Sequence, residues 1–235
     1  MPKITKIVKL PANPPKYTES KVLVYIDGQR CTLVRERTWQ AMNLKVGDSI
    51  DCDELKKREN FHWKNEYSKK DKNGKNAWDK EKVRLSKVRS LINGIDTRIE
   101  AEIVGFGADS TDMIPEHPKE SGKPDIEVYL RDTRAVLIYV EVTGTEVMRG
   151  DSYWIRPDKL EYAKAHPDQD VWFILHYAKP SEKYVFIKPI PGKKYTSVQK
   201  VINRSTEYYV EFSDEDASDF ERFKGHLVQL LSKLD

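Results

Sequence analysis

The chain has 235 residues, with 41 Lys+Arg against 38 Asp+Glu and a net charge of +3 at pH 7. That length suits one large domain or two small ones. No apolar run approaches the ~20 residues of a membrane helix, and MPKITKIVKLPANPPKY lacks the apolar segment of a secretory signal.

Two cysteines, Cys31 and Cys52, are too few for a disulfide framework and have no metal-ligand spacing. A reducing cytoplasm is therefore the expected setting. The charge is unevenly spread. Residues 1–95 hold 22 Lys+Arg and 12 Asp+Glu, a balance of +10, while residues 96–235 hold 19 and 26, a balance of −7. Such a split points to an anionic partner for the basic half, and nucleic acid is the expected one. The competing reading is a solvated lysine-rich surface without a partner.

In chain order, ITKIVKL reads as a strand, and ANPPKY as an extended breaker. KVLVYIDGQRCTLV alternates on both sides of Asp27-Gly28, the signature of a hairpin closed by a type I′ turn. RERTWQAMNL is a short helix, KVGDSIDC a turn and a strand, and DELKKRENFHWKNEY a helix. SKKDKNGKNAW is a polar, lysine-rich linker. Residues 1–78 thus form a small, basic α+β module. Its Lys56, Lys57, Arg58, Lys64, Lys69 and Lys70 are the candidate phosphate contacts, interleaved with Trp39, Phe61, His62, Trp63 and Tyr67. Those aromatics serve equally well as the module's core.

From Asp79 the pattern changes. DKEKVRLSKVRSLINGI predicts a helix with Val83, Val88, Leu91 and Ile92 near one face and Gly94 at its end. TRIEAEIVGFG predicts a strand, and ADSTDMIPEHPKESG a loop. DIEVYL and VLIYVEV are strands joined by the turn RDTRA, and GTEVMRGDSYW is a second loop. RPDKLEYAKAHP is a helix with Pro157 in its first turn. DVWFILHY is apolar throughout, as a central strand would be, and YVFIKPI is a further strand. Ser213 is expected to cap a last helix whose apolar side carries Phe220, Phe223, Leu227, Leu230, Leu231 and Leu234. Residues 79–235 are therefore an α/β domain with helix, strand, strand, strand, helix and strand in succession.

The chemistry lies in KPDIEVYLRDTRAVLIYVEVTGT. A carboxylate in a buried strand is costly unless it is paired or binds a cation. Side chains alternate along a strand, so Asp125 and Glu127 share one face, as do Glu141 and Thr143. A short turn joins strands about 5 Å apart, and matching faces bring Asp125 and Glu141 side by side. A divalent cation between them would relieve their repulsion. Mg²⁺ takes one or two carboxylates, keeps several waters and accepts phosphate oxygens. The competing reading is structural, with Asp125 capping a turn and Glu141 paired to Arg131 or Arg134.

These residues resemble the PD-(D/E)XK nuclease superfamily: Pro124-Asp125, a gap of one hairpin, then Glu141-Val142-Thr143. The element order is similar too, and the nearest likeness is to archaeal Holliday-junction resolvases. The resemblance covers about residues 79–190. It implies a restriction-endonuclease-like mixed sheet flanked by helices, with Asp125, Glu141 and the Val142 carbonyl holding Mg²⁺ or Mn²⁺. Glu81 would be the family's helix glutamate. It implies hydrolysis of DNA, branched or structured, and a homodimer for which the C-terminal leucine face is one candidate, although that face is expected first to pack onto its own domain. The family's lysine two residues after the glutamate is Thr143 here, which can supply no cation. Lys159 is the favoured substitute, with Lys123 and Arg149 behind it. His117, in the loop before Pro124, is a remote candidate. Two other classes stay open: a catalytically degenerate nuclease fold that binds DNA or a protein partner, and a restriction endonuclease reading a short sequence through its loops.

Overall fold

The structure, a computed structural model, describes residues 1–12, 19–69, 77–104, 123–148, 150–202 and 205–234. The chain divides into two compact units, Met1–Ala77 with Val198–Tyr209, and Trp78–Ser197 with Val210–Asp235. Residues 198–209, expected within a continuous domain 79–235, thus group with the first unit.

In the first unit, β1 (Ile4–Leu10), β2 (Lys21–Ile26) and β3 (Gln29–Arg35) form an antiparallel sheet in that order. Asp27 and Gly28 both have positive φ, 47° and 80°, as a type I′ hairpin requires. Alternation along β2 buries Val22, Val24 and Ile26. They pack with Trp39 of α1 (Glu36–Met42) and Leu55 of α2 (Cys52–Ser68). The strand expected in KVGDSIDC is not formed. Ser49 makes only an isolated bridge to Lys3, and Asp51 Oδ1 accepts the Glu54 N–H at 2.7 Å, a cap that starts α2 instead. Cys31 and Cys52, read as too few for a disulfide framework, form a single disulfide, because hairpin and helix bring their Cα atoms to 5.6 Å.

The second unit is mixed α/β. Its elements run α3 (Ala77–Asn93), β4 (Ile99–Ile103), β5 (Ile126–Leu130), β6 (Val136–Thr143), β7 (Tyr153–Ile155), α4 (Pro157–Ala165), β8 (Val171–Tyr177) and β9 (Lys183–Ile187). Then follow β10 (Thr196–Ile202) and β11 (Ser205–Phe212), most of whose residues group with the first unit, and β12 (Ala217–Ser218) and α5 (Phe220–Leu231) of the second. The six-stranded sheet has the order β12-β9-β8-β6-β5-β4. β6 and β8 are parallel, joined through β7 and α4, and the other pairs are antiparallel. All seven residues of β8 are buried, which is why DVWFILHY reads as continuously apolar.

Each sheet face has its own core. Ile126, Val128, Ile138, Val140, Val142, Trp172 and Ile174 meet Leu85, Val88 and Ile92 of α3 and Phe223, Leu227 and Leu231 of α5. Phe173 and Leu175 turn the other way, onto Leu160 and Tyr162 of α4. Full burial of such a side chain contributes about 1.5–3 kcal/mol. Val83, expected on the buried face of α3, is 44% exposed, and Leu85 takes the place. Five residues separate Val83 from Val88, which turns it roughly 140° away at 3.6 residues per turn. The last helix is capped not by Ser213 but by Asp219, whose Oδ1 accepts the Arg222 N–H at 2.9 Å. Ser213 is held in a turn by Asp216. The leucine face of α5 lies in its own unit's core, as expected ahead of a dimer surface, although Leu234 is 58% exposed. No described helix is long and apolar enough to cross a membrane.

Candidate active site

The register of β5 and β6 pairs Ile126 with Val140 and Glu127 with Tyr139. One step further along this ladder, Asp125 stands opposite Glu141. Ile126, Val128, Val140 and Val142 point into the core against α3 and α5, so Asp125, Glu141 and Thr143 occupy the opposite face. Asp125 is 7% exposed and Glu141 6%. Asp125 Oδ2 accepts the Val142 N–H at 2.9 Å, which ties the two strand ends together. In a strand a residue's N–H and C=O leave on the same side, so the Val142 carbonyl is turned toward Asp125 as well.

Lys159 comes from α4. Pro157 occupies the first turn of that helix, and Leu160 and Tyr162 pack it onto the sheet. This leaves Lys159 Nζ 2.8 Å from Glu141 Oε2 and 3.4 Å from the Lys123 carbonyl, to which it donates. Lys159 and Glu141 form a buried ion pair, with side chains 11% and 8% exposed. The Lys123 ammonium is engaged elsewhere, 3.0 Å from Glu127. Arg149 and His117 lie outside the described residues. Glu141 is not paired to Arg131 or Arg134, which hold Glu100 and Glu102 instead.

The electrostatics are strained. Burial pushes the Glu141 carboxyl well above its usual range, the Asp125 charge adds to this, and Lys159 opposes both. Burial works against the Lys159 ammonium, but Glu141 and Asp125 outweigh it and hold the amine above its ordinary value. Glu81 lies in the same field. Burial and then Asp125 raise its carboxyl, with Arg84, Arg156 and Lys159 acting the other way. Glu81 sits one turn before Leu85 on the core-facing stripe of α3. Sequence reasoning passed over Arg84 and Arg156. For Arg84 a signal was present: a charge on the same helical stripe as Leu85 and Val88.

The donors suit a hard cation. Asp125, Glu141 and the Val142 carbonyl supply only oxygen, and two buried like charges face each other. Among the described residues no group of three or more His, Cys, Asp or Glu side chains could hold a metal ion. A centre here would therefore rest on two carboxylates, as Mg²⁺ accepts and Zn²⁺ ordinarily does not.

The candidate phosphate contacts belong to the first unit. Lys56, Lys57 and Arg58 are exposed on α2, with Lys56 3.6 Å from Asp53 and Arg58 2.9 Å from Glu54. Lys69 is exposed beyond the helix. The Lys64 side chain and Lys70 lie outside the described residues. Of the nearby aromatics, Trp39 is core and Phe61 is 62% exposed.

No family model matches the chain, and no curated protein does. Among solved structures, the chain is similar to Hjc, a Holliday junction resolvase from the archaeal hyperthermophile Archaeoglobus fulgidus, at 1.6 Å resolution. The similarity covers 60% of this chain and 96% of that one, at 11% identity and a TM-score of 0.35.

Proposed function

We propose that the second unit is a Mg²⁺- or Mn²⁺-dependent DNA endonuclease of the PD-(D/E)XK type. The observation that carries the reading is the Lys159 ammonium. It reaches Glu141 from α4, 2.8 Å from Oε2, and would stand in for the lysine that the family's motif carries where this chain has Thr143. Two carboxylates about 5 Å apart repel by ~3 kcal/mol at an effective dielectric near 20. A bound Mg²⁺ supplies relief of that repulsion, polarisation of a phosphoryl oxygen and an acidified water.

Asp125 and Glu141 hold the cation, and the Asp125–Val142 hydrogen bond keeps both strand ends in register. Lys159 stays protonated between two carboxylates, aimed at the charge that develops when a phosphodiester oxygen leaves. Glu81 closes the acidic cluster from α3. The basic face of the first unit supplies sequence-independent contacts to the DNA backbone, which weaken with salt through counterion release.

The test is cleavage by the full chain of a four-way junction, plasmid DNA and single-stranded DNA in Mg²⁺ or Mn²⁺. The motif resemblance makes the junction the first substrate to try. Cutting that falls at least about 100-fold in Asp125→Asn and Glu141→Gln supports the proposal. Fragments with defined ends would mean a restriction enzyme. Thr143 favours a second reading, a DNA- or protein-binding regulator on a degenerate scaffold. DNA retarded but uncut, with affinity indifferent to Glu141→Gln and to metal, would establish it and overturn the first.

A further inference from the structure

We propose that Arg84 grips a non-bridging oxygen of the scissile phosphodiester beside Asp125 and Glu141. The inference rests on the nuclease reading of this site and adds a residue to it.

Along α3, Glu81, Arg84, Leu85, Val88 and Ile92 follow one another at helical spacing on one stripe. Leu85, Val88 and Ile92 are at most 1% exposed, so the stripe faces the sheet. Arg84 therefore projects from the buried side of the helix. Its Nε is sealed from solvent and has no hydrogen-bond partner among the described residues. Buried donors are almost always satisfied, and one that is not calls for a missing partner.

The surroundings say what kind of partner. Burial is the largest influence on Arg84, and Glu81, Asp125, Glu146 and Tyr177 are the groups whose fields act on it. Two of the nearby acids already have partners, while Glu81, three residues before Arg84, exerts the strongest field on it after burial. Glu146 lies 3.2 Å from Lys80 and 3.3 Å from Lys179, and Asp125 accepts from Val142. The guanidinium is drawn toward an acidic site without being pinned to any member of it. A cation bound by Asp125 and Glu141 would weaken even that attraction and leave Arg84 facing whatever anion the cation recruits. Guanidinium matches phosphate with a planar fork of donors, which a lysine ammonium cannot reproduce. Arg84 then stands on one side of the phosphoryl group, and Lys159 enters from the other sheet face. A purely structural role, offsetting the charge of Glu81 and Asp125, makes a different forecast.

Arg84→Ala and Arg84→Lys in the full chain separate the two. Three readouts are needed: junction cleavage in Mg²⁺, junction binding in Ca²⁺, and calorimetric Mn²⁺ affinity. The proposal expects cleavage to fall about 100-fold in Arg84→Ala, with Arg84→Lys recovering only a small part. It expects Mn²⁺ affinity within about threefold of the original, because Arg84 is no ligand of the metal. Cleavage within about threefold of the original in both variants would overturn it. So would Mn²⁺ affinity that changes in step with cleavage, which is the mark of charge balancing. Should the unaltered chain cut nothing, the nuclease reading fails separately, and binding in Ca²⁺ decides for Arg84. A roughly tenfold weaker complex, with a salt slope smaller by about one, retains the phosphate contact. Unchanged affinity and slope remove it.

Discussion

Replacing Lys159 with methionine isolates the interaction on which the site turns. The ammonium and Glu141 Oε2 are 2.8 Å apart, and their side chains are 11% and 8% exposed. At an effective dielectric near 20 that separation corresponds to ~6 kcal/mol of gross attraction. Desolvation of the ammonium offsets part of this, and breaking one half of a buried pair costs about 3–5 kcal/mol net. The cost must depend on pH. Glu141 is an acid whose folded pKa is raised, so the folded protein keeps a proton that the unfolded chain releases above about pH 4.5, its ordinary value. Stability falls as pH rises between those two values, by up to ~1.4 kcal/mol per pH unit. Removing Lys159 removes what opposed the rise and carries the window to higher pH. Lys159→Met should therefore be about 3–5 kcal/mol less stable than the original at pH 8, a drop of roughly 10 °C in Tm for a unit of this size. Near pH 5, closer to the ordinary carboxylate value, the difference should be smaller, because Glu141 takes up its proton as pH falls. Millimolar Mg²⁺ at pH 8 should recover part of the loss, because a divalent cation compensates the same carboxylate. Urea titrations at the two pH values, with Mg²⁺ or EDTA, measure all of this. Equal destabilisation at pH 5 and pH 8 would show that Lys159 acts by packing and would refute the electrostatic account.

Gly144 ends β6 with φ +120°, and a Cβ there would lie 2.2 Å from the His176 carbonyl oxygen, a backbone atom. Gly144→Ala should destabilise the sheet by more than about 3 kcal/mol, read by denaturant unfolding, and an unchanged midpoint would contradict the close approach. The Cys31–Cys52 disulfide spans 21 residues, for which loop-closure entropy predicts about 3 kcal/mol of stabilisation. Thiol titration without reductant should find no free cysteine, and dithiothreitol should lower the unfolding midpoint.

The pairing of Asp125 with Glu141 was legible in the sequence. It needs only the period-2 rule on two strands joined by a turn of a few residues, and a short connection leaves few registers open. The Asp27-Gly28 hairpin and the all-buried β8 were legible for the same reason, since each is written in consecutive residues. Packing decided what adjacency does not encode. Lys159 lies 18 positions beyond Glu141, and only the seating of Leu160 and Tyr162 on the sheet brings its ammonium to that carboxylate. Arg84 and Glu81 join the cluster because Leu85 and Val88 press α3 against the opposite sheet face. Val83 misses the buried face for a local reason, since helical spacing alone turns it roughly 140° from Val88. Cys31 and Cys52 meet because β3 and α2 are pressed together around Val34 and Leu55. Local periodicity names the elements and the faces they can bury. Which distant side chains then share a point in space is chosen by how those faces close on one another.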